Sequence, residues 1–146
     1  MKYLFLIFSI SLSLHSQSQE LKLSFDHSAI EVNNLELAGE FYKEILNLAE
    51  LETPNNNPDL RWFDLGNGKQ LHLIKSYSIL EIPGKGVHLS LRCENINLMV
   101  EHMQALQIPF EDWNGQKGKV SLRPDGVKQI YIQDYSGYWI EINNAR

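Results

Sequence analysis

His27-Ser-Ala-Ile-Glu-Val32 and His88-Leu-Ser-Leu-Arg-Cys93 decide the reading of this chain, because they are one opening used twice, 61 positions apart. A second correspondence closes each half. Arg61-Trp-Phe-Asp-Leu-Gly-Asn-Gly-Lys-Gln-Leu-His-Leu73 aligns without a gap on Ile130-Tyr-Ile-Gln-Asp-Tyr-Ser-Gly-Tyr-Trp-Ile-Glu-Ile142, at an offset of 69. In that register Gly68 falls on Gly137 and His72 on Glu141. An internal repeat sets the architecture before any local signal does.

The path between the repeated stretches is the same in both halves. His27, Ala29 and Glu31 alternate with Ile30 and Val32, the period of a half-buried strand. Asn33-Asn34 caps a helix whose apolar face is Leu35, Ala38, Tyr42, Ile45 and Leu46. Leu60 to Leu65 and Gln70 to Lys75 are strands joined across Gly66-Asn-Gly68, since Asn-Gly tolerates the positive φ of a tight hairpin. In the second half, Val87 to Cys93 is a strand and Asn95 a cap. Ile96, Met99, Val100, Met103 and Leu106 form the helix face, and Val120 to Arg123, Gln129 to Gln133 and Tyr138 to Ile142 are strands. His102 points away from that helix's apolar stripe and is expected in solvent. Each half is strand, helix, then two or three strands. The pair predicts an α+β fold with a mixed, cupped β-sheet and helices on its outer face.

Strand parity then sorts the side chains. Ile30, Val32, Phe63, Leu65, Leu71, Leu73, Leu89, Leu91, Ile132, Ile140 and Ile142 share one parity and belong under the helices. The other parity carries His27, Ala29, Glu31, Trp62, Asp64, Gln70, His72, His88, Ser90, Arg92, Tyr131, Gln133, Trp139 and Glu141. A polar and aromatic face opposite an apolar one predicts a site there.

The ends and the composition bound the rest. Met1-Lys2, an apolar run to Leu14 and Ser16-Gln-Ser18 read as a secretory signal peptide over residues 1–18, cut after Ser18 or Ser16. An uncleaved tether is the alternative, although the run is shorter than the roughly 20 residues of a membrane span. Residues 19–146 suit one domain, exported to the periplasm or beyond. With 18 acidic against 13 basic residues and a net charge of −5, nucleic acid is a poor partner, because phosphates need clustered Lys and Arg. The single cysteine, Cys93, cannot form an internal disulfide.

His27, His72, His88 and Glu141 occupy two equivalent pairs of repeat positions on the polar face. Each alone is read most simply as a satisfied strand residue. Together they are an imidazole and carboxylate donor set suited to one divalent transition metal, Zn, Ni, Fe, Mn or Co. Three neutral imidazoles and one carboxylate leave positions open for water or substrate, as a catalytic site requires. Glu141 could also shuttle a proton. Trp62, Tyr131 and Trp139 are candidate walls for a small substrate. Arg92 is a candidate for binding its carboxylate or phosphate, or else pairs with Glu31 across adjacent strands.

These motifs resemble the vicinal oxygen chelate superfamily, which contains glyoxalase I, methylmalonyl-CoA epimerase, fosfomycin-resistance thiol transferases and extradiol dioxygenases. The resemblance spans Ser24 to Asn143. It rests on His27-x-x-Ile before a helix with Phe41-Tyr42, on Gly68-Lys-Gln-Leu-His-Leu73, on His88, and on Asp134-Tyr-Ser-Gly-Tyr-Trp-Ile-Glu141. Tyr135 stands where the family usually has proline, and His72 where glyoxalase I commonly has Glu. The resemblance implies two tandem βαβββ modules, about 24–76 and 86–143, cupped around a metal held by His27, His72, His88 and Glu141. It implies a glyoxalase-like lyase or isomerase, or a dioxygenase, acting on a small oxygen-chelating substrate. A non-catalytic drug- or metabolite-binding protein of the same fold is the alternative, and a metal that only staples the fold is a third. The cup is completed either within one chain or across a homodimer.

Overall fold

The computed structural model describes residues 21–146, so the expected signal peptide lies outside the described residues. Module one runs β1 (His27–Val32), α1 (Leu35–Glu40), β2 (Glu50–Leu51), β3 (Leu60–Gly66) and β4 (Lys69–Lys75). Module two runs β5 (His88–Arg92), α2 (Ile96–Ala105), β6 (Ser121–Leu122), β7 (Lys128–Gln133) and β8 (Trp139–Asn143). Each module forms a mixed four-stranded sheet, in the orders β1-β4-β3-β2 and β5-β8-β7-β6. The opening strand pairs parallel with the last strand of its own module, and the remaining pairs are antiparallel. Among the described residues no helix is long and apolar enough to cross a membrane.

The register confirms the duplication residue by residue. His27 lies opposite Gln70 and Ala29 opposite His72. Their counterparts repeat the pairing, with His88 opposite Trp139 and Ser90 opposite Glu141. Trp62 faces His72, as Tyr131 faces Glu141. The helix caps repeat as well. Asn34 Oδ1 accepts from the Leu37 N–H, and Asn95 Oδ1 from the Asn97 and Leu98 N–H groups. Each such cap stabilises its helix by about 1 kcal/mol.

The apolar parity packs with both helices into one continuous core containing Val32, Phe63, Leu71, Leu73, Ile132, Ile140 and Ile142. Helix α1 departs from the expected face. It continues through a π-helical turn, Phe41–Ile45, closed by the Leu46 N–H to the Phe41 carbonyl at 3.2 Å. Both Phe41 and Tyr42 are buried in the core, as positions three and four residues after the buried Ala38 are on one helical face. Asn47, at φ 53°, then ends the helix.

Among the described residues, three side-chain hydrogen bonds tie the modules. The Tyr42 hydroxyl donates to Asp134 Oδ2 at 2.9 Å, in the core. The Tyr138 hydroxyl donates to the Glu31 carbonyl at 2.9 Å. His102 Nε2 donates to the Ile45 carbonyl, also at 2.9 Å. His102 is therefore not merely solvated: it satisfies a carbonyl at the end of module one's helix, whose last carbonyls lack partners within the helix.

Candidate metal centre

Strand pairing and parity place each candidate side chain. In module one, His27 and His72 project from adjacent strands onto the face away from the core, and their rings stack at 4.3 Å. Trp62, directly across from His72, stacks on its other side at 3.9 Å and 7°. The result is a column of three rings. Asp26 Oδ2 lies 2.7 Å from His27 Nδ1, and Gln70 Oε1 lies 2.8 Å from His72 Nε2. Both partners accept, so a ring proton lies on His27 Nδ1 and on His72 Nε2, and the opposite nitrogens are the ones left for a ligand. Burial first, and then neighbouring His27, holds the His72 imidazole below its ordinary pKa. His72 is the neutral base at pH 7, the form a metal requires.

Module two repeats the arrangement with a carboxylate. The Lys85 carbonyl accepts from His88 Nδ1 at 2.8 Å. A carbonyl cannot donate, so Nδ1 carries a proton and Nε2 is the nitrogen left for a ligand. That nitrogen is 3.4 Å from Glu141 Oε2. Two donors each about 2.1 Å from one cation at a tetrahedral angle are roughly 3.4 Å apart. A ring N–H held by a backbone carbonyl is also the usual support of a metal-binding histidine. Tautomer, spacing and donor type all fit a cation.

Glu141 is 6 % exposed. Burial alone would raise its pKa. The hydrogen bonds from Tyr131 and Asn143, the His88 charge and the Ser90 hydroxyl outweigh that and hold the carboxyl below the ordinary range. The Tyr131 hydroxyl donates to Oε2 at 2.6 Å, while Asn143 Nδ2 at 2.7 Å and Ser90 Oγ at 3.2 Å donate to Oε1. Arg123 Nη1 approaches Oε1 at 3.9 Å.

The two pairs remain separate within one chain. Among the described residues, no group of three or more His, Cys, Asp and Glu is placed to hold a metal ion. The candidates thus fall into two separate pairs, His27 with His72 and His88 with Glu141, on different sheets.

The remaining candidates are distributed unevenly. Tyr131 is 2 % exposed. Trp62 is half-buried, and its indole N–H has no partner. Trp139 lies under the Lys85 ammonium, 4.6 Å from its ring centre. Arg92 is exposed at the end of β5, opposite Asn143. The alternative that it pairs with Glu31 fails, because β1 and β5 belong to different sheets and no such ion pair exists among the described residues.

Sequence reading missed Lys85, which lies in the connector between β4 and β5. Its ammonium pairs with Glu111, donates to the Asp112 and Trp113 carbonyls at 3.0 and 3.3 Å, and sits over Tyr131 and Trp139. It pins the segment after α2 against module two's polar face. No local signal marks such a lysine, because all its partners are distant in sequence. A cavity of about 480 Å³ opens nearby, between β1, the start of β5 and the connector, and Glu31, Tyr138, Trp139 and His88 are among its lining residues.

The comparisons with known proteins agree with this architecture. No protein-family model matches the chain. The uncharacterised protein YwbC of Bacillus subtilis (strain 168) is 26 % identical over 123 residues, covering 80 % of this chain and 93 % of that protein. Among solved structures, a glyoxalase family protein from Bacillus anthracis superimposes with a TM-score of 0.71 at 20 % identity, over 88 % of this chain and all of that one. Lactoylglutathione lyase from Agrobacterium tumefaciens gives 0.65 at 18 %, over 86 % and 96 %. The oxidase ChaP-H1 gives 0.70 at 15 %, over 86 % and 98 %.

Proposed function

Because this chain has the vicinal oxygen chelate fold, we propose that it is a metal-dependent enzyme whose small substrate chelates through two neighbouring oxygens. Lyase or isomerase chemistry, or oxygenation, is the reaction class. The observation that carries this reading is the His88–Glu141 pair: an imidazole whose Nδ1 donates to the Lys85 carbonyl and whose Nε2 lies 3.4 Å from a carboxylate held below its ordinary pKa. His27 and His72 are the other two ligands. A divalent metal there, Zn, Ni, Fe, Mn or Co, supplies Lewis acidity toward the bound oxygens. The chain's own contribution is orientation and proton control. Tyr131, Asn143 and Ser90 hold Glu141 ionised and in one rotamer. Asp26, Gln70 and the Lys85 carbonyl fix the three ring tautomers.

Two half-sites on separate sheets of one chain call for a second copy. In our reading, β1 and β5, the outer strands of their sheets, meet their counterparts in a two-fold homodimer. Module one of one copy then faces module two of the other, and each dimer has two complete sites. Export to the periplasm or beyond belongs to the same proposal and rests on reading residues 1–18 as a signal peptide.

The test is subunit complementation. His27→Ala/His72→Ala and His88→Ala/Glu141→Ala chains are each expected to bind no transition metal by elemental analysis. A dimer formed from one of each regains one intact site. Metal retained by both parent variants rejects the ligand assignment, and a mixed dimer without metal rejects the shared site. A second reading, a non-catalytic small-molecule binder, is favoured by the cavity of about 480 Å³, a volume typical of ligand sites. It predicts ligand affinity that chelators leave unchanged.

A further inference from the structure

The duplication extends beyond the four candidate ligands to the residues that hold them. Trp62 lies directly across the strand pair from His72, and Tyr131 directly across from Glu141. The four positions correspond, since 62 maps to 131 and 72 to 141 at the same offset. In module one the ligand candidate is an imidazole, and its cross-strand partner is an indole stacked on it at 3.9 Å and 7°. In module two the ligand candidate is a carboxylate, and its cross-strand partner is a phenol that donates to it at 2.6 Å. Each partner is matched to the chemistry of the group it touches. A flat ring is held by a flat ring, and an anion by a hydroxyl donor.

Both partners are committed inward. Tyr131 is 2 % exposed, and its hydroxyl also accepts from Gln129 Nε2 at 2.9 Å. That leaves it no free face for a substrate. Trp62 places its buried N–H against nothing and uses its ring face on His72. The opposite face of His72 is covered by His27 at 4.3 Å, so the indole closes a three-ring column and sets the plane of both imidazoles. Sequence parity marked Trp62 and Tyr131 as pocket walls. The geometry points to a different role: Trp62 and Tyr131 are positioning residues, each fixing the ligand opposite it, and ligand and holder form an exchangeable unit repeated in the two modules.

This inference rests on the metal-site reading, and its test separates the two. Zn²⁺ affinity is measured on the full protein by competition with a chromophoric chelator. Removing the support of a metal ligand typically weakens binding about 10–100-fold. Tyr131→Phe, which keeps the ring and loses only the hydroxyl, is expected to weaken Zn²⁺ by about that factor, and so is Trp62→Leu. Trp62→Phe restores a stacking ring and is expected to recover most of the loss. In a Glu141→Gln background, Tyr131→Phe is expected to add nothing, because the hydroxyl acts through the carboxylate. The exchange arm is more demanding. Glu141→His is expected to bind Zn²⁺ better with Tyr131→Trp than with Tyr131 retained. A wild-type protein that takes up no Zn²⁺ sinks the metal reading and this inference together. A wild-type protein that binds Zn²⁺ while Tyr131→Phe and Trp62→Leu bind it equally well overturns only the assignment of holders. So does a loss from Tyr131→Phe that persists undiminished in Glu141→Gln.

Discussion

Tyr42→Phe isolates the buried one of the hydrogen bonds between the two modules. The substitution keeps the ring against Phe41 and Phe63, whose centroids lie 5.6 and 5.9 Å away. It deletes only the hydroxyl, which donates 2.9 Å to Asp134 Oδ2. The other carboxylate oxygen is unaffected, since Oδ1 keeps the N–H groups of Ser136 and Tyr138 at 2.8 and 2.9 Å. Asp134 is 4 % exposed, so water does not readily replace the lost donor. A hydrogen bond to a buried charged group contributes about 1.5–3 kcal/mol, and we expect a loss of about 2 kcal/mol at pH 7. For a domain of this size that lowers Tm by roughly 6–10 °C.

The pH dependence gives the reasoning a second handle. Burial pushes the Asp134 carboxyl above its ordinary value, while Tyr42 and the backbone donors oppose that rise. Losing the Tyr42 donor raises it further. A folded-state pKa above the unfolded one means that keeping the carboxylate ionised opposes folding above that pKa. The opposition is relieved as pH falls through it. The Tyr42→Phe penalty should therefore be full at pH 7 and shrink on acidification. Urea denaturation at pH 7 and pH 4 measures both quantities. A penalty under about 0.5 kcal/mol at pH 7, below the range for a buried charged hydrogen bond, refutes the argument. A penalty equal at the two pH values refutes it as well.

Arg61 supplies two further expectations. Its guanidinium, 11 % exposed, pairs with Glu50 at 2.7 Å and Glu40 at 3.3 Å, and donates to the Glu36 carbonyl at 3.1 Å. A Cβ on Gly39 would lie 2.1 Å from Arg61 Nη1, so Gly39→Ala displaces the guanidinium despite alanine's better helix propensity. Thermal denaturation should show a loss of about 1–3 kcal/mol. The Arg61 hydrogen bond, against the opposing effect of burial, holds the Glu50 carboxyl below its ordinary value. Its contribution is complete above the unfolded pKa and is lost as pH falls through the folded one. Glu50→Gln should cost about 1 kcal/mol at neutral pH, after allowing for solvent screening, and nothing once Glu50 is protonated. Lys85→Met leaves Glu111 without its cation. It should loosen the segment after α2, read as faster amide exchange at Glu111, Asp112 and Gly118 with β1–β4 unchanged.

Much of this protein was legible in one dimension. The two offsets recovered the module pair, because strand register repeats whatever the sequence spacing repeats. Parity separated Leu71, Leu73, Ile140 and Ile142 from His72 and Glu141, because successive strand residues face opposite ways. Asn34 and Asn95 were recognisable as caps for the same local reason. The π-helical turn at Phe41 was not, since its widening serves a core built by both modules. Lys85 was overlooked, and neither the His102 bond to the Ile45 carbonyl nor the separation of Arg92 from Glu31 could be read locally, because these surroundings come from residues tens of positions away. Whether Trp62 and Tyr131 face a substrate or a neighbour is also a tertiary matter.

The distribution of the four candidate ligands shows where local information stops. Their donor types and pairing follow from the chain alone, for alternation and repetition are properties of neighbours along the backbone. Their separation into two half-sites comes from how the sheets are set around a common core. That arrangement is chosen by apolar packing between the modules, which no spacing within either module encodes.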